Sequence, residues 1–127
     1  MAATGPMTPR PSNRTYATVQ ISTAADGLSD AINITGLHLT SIQMSTDWTA
    51  AAIGISASID GSTNYYPVFG STGDHLVFTT TANRVIALSP DLTCGLQFLQ
   101  LVSETTAQVA VAQAATRTII IGLQDDR

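Results

Sequence analysis

MSTDWTAAAIGISASIDGSTNYYPVFGSTG, residues 44–73, is the stretch whose reading decides the fold. Within it Ile53, Ile55, Ala57 and Ile59 alternate with Gly54, Ser56 and Ser58, the two-residue period of a strand with one apolar face. Asp60-Gly61 follows, a hairpin dipeptide, because glycine accepts the positive φ of a tight turn. Trp48, the sole tryptophan, stands just ahead of that strand, where a large apolar ring serves as a packing centre. Trp48, Ile53, Ile55 and Ile59 are therefore expected in the core of a small β-sandwich.

The same grammar extends in both directions. Upstream, residues 16–23 are rich in β-formers and end at Asp26-Gly27, residues 31–35 follow, and a break at Gly36 precedes 37–44. In that last segment Leu37 and Leu39 share a face with Ile42 and Met44 only if a bulge near Thr40-Ser41 resets the register. Downstream come 65–69, where Pro67 suits an edge or a bulge, then 76–80, 84–88, 96–102, 108–112 and 117–123. Residues 109–115 carry enough alanine for a helix, although the Ala, Val and Gln run suits a strand equally. Strands at roughly ten-residue spacing predict an all-β fold, an antiparallel β-sandwich or jelly roll of about eight strands over residues 16–127. Its open edges must be managed, and pairing across subunits is one way.

Residues 1–15 differ in character. Pro6, Pro9 and Pro11 exclude a helix and favour an extended path, so this segment is expected to be an arm that orders on a partner. Its partner-binding residues are expected to be Pro6, Pro9, Arg10, Pro11 and Arg14. The opposite charges at the chain ends raise a further expectation, that Arg10 and Arg14 dock on Asp125 and Asp126 of another subunit.

A chain of 127 residues forms one domain with a core of its own, and its single cysteine excludes an internal disulfide. Apolar residues make up 44%, charged residues only 11%, and lysine is absent. Ala, Thr and Ser occupy positions where a dispersed monomer carries charge; either much of the surface faces protein, or the host's composition is biased. The net charge of −4 and scattered arginines argue against nucleic acid as a partner. No apolar run reaches the roughly 18 residues that span a bilayer, and no secretion signal is seen, so no membrane role and synthesis in a host cytoplasm are expected.

Candidate chemistry is sparse. Cys94 lacks a neighbouring base or positive charge and is expected to be a small buried or half-buried apolar group. His38 and His75 have no ligand spacing, so each is expected to be satisfied structurally or to lie at the surface. Asp26, Asp60 and Asp91 sit where an aspartate caps its own turn, as Asp47 could. Asp74 and Glu104 are the one conceivable acid/base pair. No catalytic residue, no metal and no cofactor is expected. Tyr65 and Tyr66 point to opposite faces, and an exposed member could stack on a sugar ring.

The chain runs in order through a strand ending near Ile42, Trp48-Thr-Ala-Ala, Ser58-Ile59-Asp60-Gly61-Ser62, Tyr65-Tyr66-Pro67-Val68 and a Gly73-Asp74 turn. It continues through Arg84-Val85-Ile86-Ala87-Leu88-Ser89-Pro90, Phe98-Leu99-Gln100-Leu101-Val102-Ser103 and Gln113-Ala114-Ala115-Thr116-Arg117-Thr118-Ile119. This order of signals, over roughly residues 37–123, resembles a small virion protein widespread in tailed bacteriophages. The resemblance implies a non-enzymatic capsid decoration or cement protein on the outer surface of the virion head. Such proteins bind the major capsid protein, bridge capsomers, and associate with themselves as a homodimer or homotrimer. The alternative is a tail or baseplate β-sandwich module that binds host-surface polysaccharide through Tyr65 and Tyr66.

Overall fold

The structure of the protein, a computed structural model, describes residues 14–61 and 64–125. These form β1 (Arg14–Ile21), β2 (Ile32–Asn33), β3 (Leu37–Gln43), β4 (Ala52–Ser58), β5 (Tyr66–Pro67), β6 (Val77–Phe78), β7 (Val85–Ala87), β8 (Phe98–Glu104) and β9 (Arg117–Asp125), with a 3₁₀ turn at Pro90–Leu92. All pairing is antiparallel. One sheet, A, has the order β1-β9-β3-β7; the other, B, runs β2-β8-β4-β5, with β6 also on β4.

β5 and β6 lie one after the other along the same edge of β4, Tyr66 opposite Ala57 and Phe78 opposite Ile53. They amount to one edge strand interrupted by an excursion, and Pro67 sits in it as an edge proline should. Counted so, successive strands wrap between the two sheets in the pattern of a jelly roll. The β1–β2 connection stitches the layers: Ser29 N–H donates to Leu101 O of sheet B (2.8 Å) and Asp30 N–H to Gln20 O of sheet A (3.1 Å).

The core lies between the inner faces. Val19, Ile21, Leu39, Ile42, Ile119, Ile121 and Leu123 from sheet A meet Ile53, Ile55, Leu99 and Leu101 from sheet B. Each such side chain removed from water contributes about 1.5–3 kcal/mol. The bulge expected in β3 is present between Leu39 and Ser41, and it returns Ile42 and Met44 to the side of Leu39. Trp48 closes one end of the core at 7% exposure, its indole N–H donating to Ala51 O at 3.0 Å.

Several expectations are corrected. Ile59 is 78% exposed, not core. β4 stops at Ser58, whose buried hydroxyl donates to Asp60 Oδ1 (3.0 Å) and accepts Gly61 N–H (3.1 Å), so the chain turns at once and Ile59 stands outside it. Cys94 is exposed; in its turn the buried side chain is Thr93, whose hydroxyl accepts Leu39 N–H at 2.8 Å. Residues 108–112 form neither strand nor helix. Gln108 adopts a positive φ of 67°, and the Thr105 hydroxyl takes the N–H groups of Ala107 and Val109, leaving one bridge between Glu104 and Ala110. Arg14 and Thr15, assigned to the arm, are the first residues of β1. Pro6, Pro9, Arg10, Pro11 and Asp126 lie outside the described residues.

Candidate assembly surface

The two sheets differ in what covers their outer faces. On sheet B, Ala52, Gly54, Ser56 and Ser58 of β4 and Val102 and Glu104 of β8 all point away from the core, yet all are buried. Part of the cover is the excursion between β5 and β6, closed by Gly70 N–H to Asp74 O (2.8 Å) and by a bridge between Phe69 and His75. It places His75 Nε2 2.8 Å from Glu104 Oε1 with both side chains buried. Gly54 makes this possible, because a Cβ there would collide with the Glu104 carboxylate. Glu104 thus pairs with His75, while the Asp74 carboxylate accepts Thr72 Oγ1 (3.3 Å) and is exposed.

A second buried polar cluster seals the end beside Trp48. Arg117, at the start of β9, donates to Gln113 Oε1 (3.2 Å) and Thr49 Oγ1 (3.0 Å) and meets Asp47 Oδ2 at 2.8 Å. Gln113 in turn accepts Thr49 N–H (2.8 Å) and donates to Thr49 O (3.1 Å) and Ser103 Oγ (2.8 Å). Every member has partners, so the cluster fixes two loops on the core. Asp47 serves this pair rather than its own turn. The sequence held a signal for it: Arg117 occupies the position two before Ile119 in the inward series that continues to Ile121 and Leu123.

Sheet A is different. Its outer face is laid out in cross-strand rows: Tyr16, Gly122, Ser41 and Ala87 in one, Thr18, Ile120, Gln43 and Val85 in the next, and Gln20 with Thr118 beyond. None of these residues carries a charge, and none is buried; beyond Tyr16 on the same face stands the exposed Arg14, in a row with Gln124 and His38. Tyr16 is 73% exposed and Val85 65%. Two shallow concavities of about 370 and 230 Å³ flank the end of β3, the first lined by Gln43, Asp47, Thr118 and Ile120 among others, the second by Gln43, Arg84 and Val85. The central rows are built of Thr, Gln, Ala, Val, Ile and Tyr, with Arg14, Asp47 and Arg84 at the margins, so a partner covering the centre displaces water mainly from hydroxyl, amide and apolar groups.

The remaining sequence candidates lie elsewhere. Tyr66 is 67% exposed and Tyr65 half-buried; Tyr66 flanks a hollow of about 270 Å³ with Ile59, Ala57, Asp60 and Asn64. Trp48 is not part of any exposed aromatic set. Among the described residues no group of three or more His, Cys, Asp or Glu is placed to hold a metal, and no helix is long and apolar enough to cross a membrane.

No protein-family model matches the chain, and no curated protein matches it in sequence. Solved structures are similar to it in fold. The SPBc2 prophage-derived protein YomS is similar at 13% identity and a TM-score of 0.50, covering 93% of this chain and 97% of its own. A chain from Bacillus endospore appendages, described as disulfide-linked pili, is similar at 13% identity and a TM-score of 0.40, with 96% of each chain covered. The coat protein of Tobacco streak virus follows at 12% identity and a TM-score of 0.33, with 94% and 91% covered. The similarity to YomS concerns the fold, and the two lower scores bear no further argument.

Proposed function

We propose that this chain is a virion structural subunit of a tailed phage, and within that class a capsid decoration or cement protein. It lies on the outer surface of the head, binds the major capsid protein and its own copies, and stabilises contacts between capsomers. The observation that carries this reading is the open outer face of sheet A, uncharged across its central rows, beside a sheet B whose outer face is largely buried. A light subunit stabilises a shell by burying such a surface many times over, without any single strong bond. The reading assigns the chain no catalysis and no cofactor; the His75–Glu104 pair and the Arg117 cluster hold loops in place. The prophage origin of YomS accords with a phage setting.

Contact through Thr, Gln and small apolar side chains is only weakly sensitive to screening. Purified protein mixed with expanded heads is expected to sediment with them equally at about 0.1 M and about 1 M salt, although the Debye length falls from about 10 to about 3 Å. Release by salt alone contradicts the reading. The exposure of Tyr66 beside Ile59 favours one other function, binding of host polysaccharide by a tail module. That reading predicts that Tyr66→Ala abolishes glycan binding; the decoration reading predicts no glycan binding to abolish.

A further inference from the structure

We infer that β1 is the self-association edge of this protein, pairing antiparallel with β1 of a second copy about a two-fold axis at Tyr16. Among the described residues the two sheets present four edges. β7 has three residues, β2 two, and the β5/β6 edge is split into two-residue pieces with Pro67 in one. Short strands and prolines are the devices that keep an edge from templating another chain. β1 has none of them: eight residues, no lysine, no proline and an unbroken register with β9 from Arg14 opposite Gln124 to Ile21 opposite Arg117.

The peptide groups available on that edge follow from one hydrogen bond. Asp30 N–H reaches Gln20 O at 3.1 Å from the side away from β9, so the N–H and C=O of Gln20 face outward. In an antiparallel strand alternate residues share a direction, so those of Thr18, Tyr16 and Arg14 face outward too. Among the described residues nothing pairs with them. Asp30 blocks the edge at Gln20 and leaves an open run with Tyr16 at its centre.

That run is self-complementary. Rotation about Tyr16 sets Tyr16 against its own copy and Arg14 against Thr18, so each outward N–H meets an outward C=O. No like charges stand opposite each other. The charges at the ends match: Asp30 stands next in line beyond Thr18, on the path of the second strand just past its Arg14, and symmetry repeats the match at the other end. Both residues are exposed. The competing occupant is the segment ahead of β1, and its sequence disfavours it, since Pro6, Pro9 and Pro11 withhold the N–H groups that an added strand must donate. Pairing of β1 joins two four-stranded A sheets into one continuous sheet, with the two Tyr16 rings at the middle of its outer face.

The inference deepens the self-association part of the proposed function, and its test is made on the isolated full chain, without heads. Sedimentation equilibrium is expected to show a dimer, and hydrogen exchange to show protected amides at Arg14, Tyr16 and Thr18. Thr18→Pro removes an outward N–H and no bond to β9, so it is expected to give a folded monomer by circular dichroism. Arg14→Asp is expected to weaken the dimer about tenfold, and Arg14→Asp combined with Asp30→Arg to restore it. A monomer, a trimer, or a dimer whose Arg14, Tyr16 and Thr18 amides exchange freely overturns the inference while leaving binding to heads to be decided by its own assay. So does a charge swap that fails to restore what the single reversal lost. If Thr18→Pro does not fold, the exchange pattern and the charge swap carry the decision.

Discussion

Gly54 and Glu104 offer a test whose sign reverses between two backgrounds. An alanine Cβ at position 54 would lie on the Glu104 carboxylate, with its Cδ only 2.8 Å away. The glutamate must therefore swing aside and give up its 2.8 Å contact with the buried His75. A hydrogen bond to a charged group contributes about 1.5–3 kcal/mol, against which the reduced chain entropy of alanine relative to glycine returns about 0.5–1 kcal/mol. Gly54→Ala is thus expected to destabilise the protein by about 1–2 kcal/mol. With Glu104→Ala already present the obstacle is gone, and the same Gly54→Ala is expected to stabilise by about 0.5–1 kcal/mol. Urea denaturation of the four proteins, at one protein concentration, measures the cycle. An equal cost in both backgrounds refutes the reasoning, because it places the strain in the β4 backbone instead of at the carboxylate.

Other outcomes follow from single contacts. Ile55→Ala, at a fully buried site, is expected to cost about 2–5 kcal/mol in the same denaturation assay, whereas Ile59→Ala at its exposed turn is expected to stay within about 0.5 kcal/mol. Thr93→Val keeps the shape of the side chain but strands the buried Leu39 N–H, for an expected loss of about 1–3 kcal/mol. Arg117→Ala leaves Gln113 Oε1 and Thr49 Oγ1 short of donors while Asp47 returns to solvent, and a loss of about 2 kcal/mol is expected, with faster proteolysis of the two loops that Gln113 joins. Cys94, exposed in its turn, is expected to react with a thiol reagent in the native protein about as fast as in urea.

What the sequence made legible was local. The alternation through Ile53 and Ile55, the bulge near Thr40-Ser41, the edge character of Pro67 and the buried Trp48 each follow from residue type and period, and together they place the sandwich. Ile59 misled because period alone does not mark where a strand ends; the Ser58 hydroxyl, by capping the turn, decides that. Cys94 misled for a related reason: in a turn, the side chain with a partner for its oxygen, here Thr93, is the one that can go inside. The pairing of His75 with Glu104 and the seat of Arg117 between Gln113 and Thr49 join residues distant along the chain, and tertiary folding alone brings them together. The candidate surface was legible only as a composition poor in charge. Its location needed the sheet order, because the same Thr and Ala residues on sheet B would lie under a loop.

The most direct test of the central claim is to image particles assembled with and without this protein. Loss of density from the outer surface of the head, at sites between capsomers and with the outer face of sheet A turned toward a protein neighbour, is the predicted result. Intact heads accompanied by loss of density from the tail or baseplate contradict it.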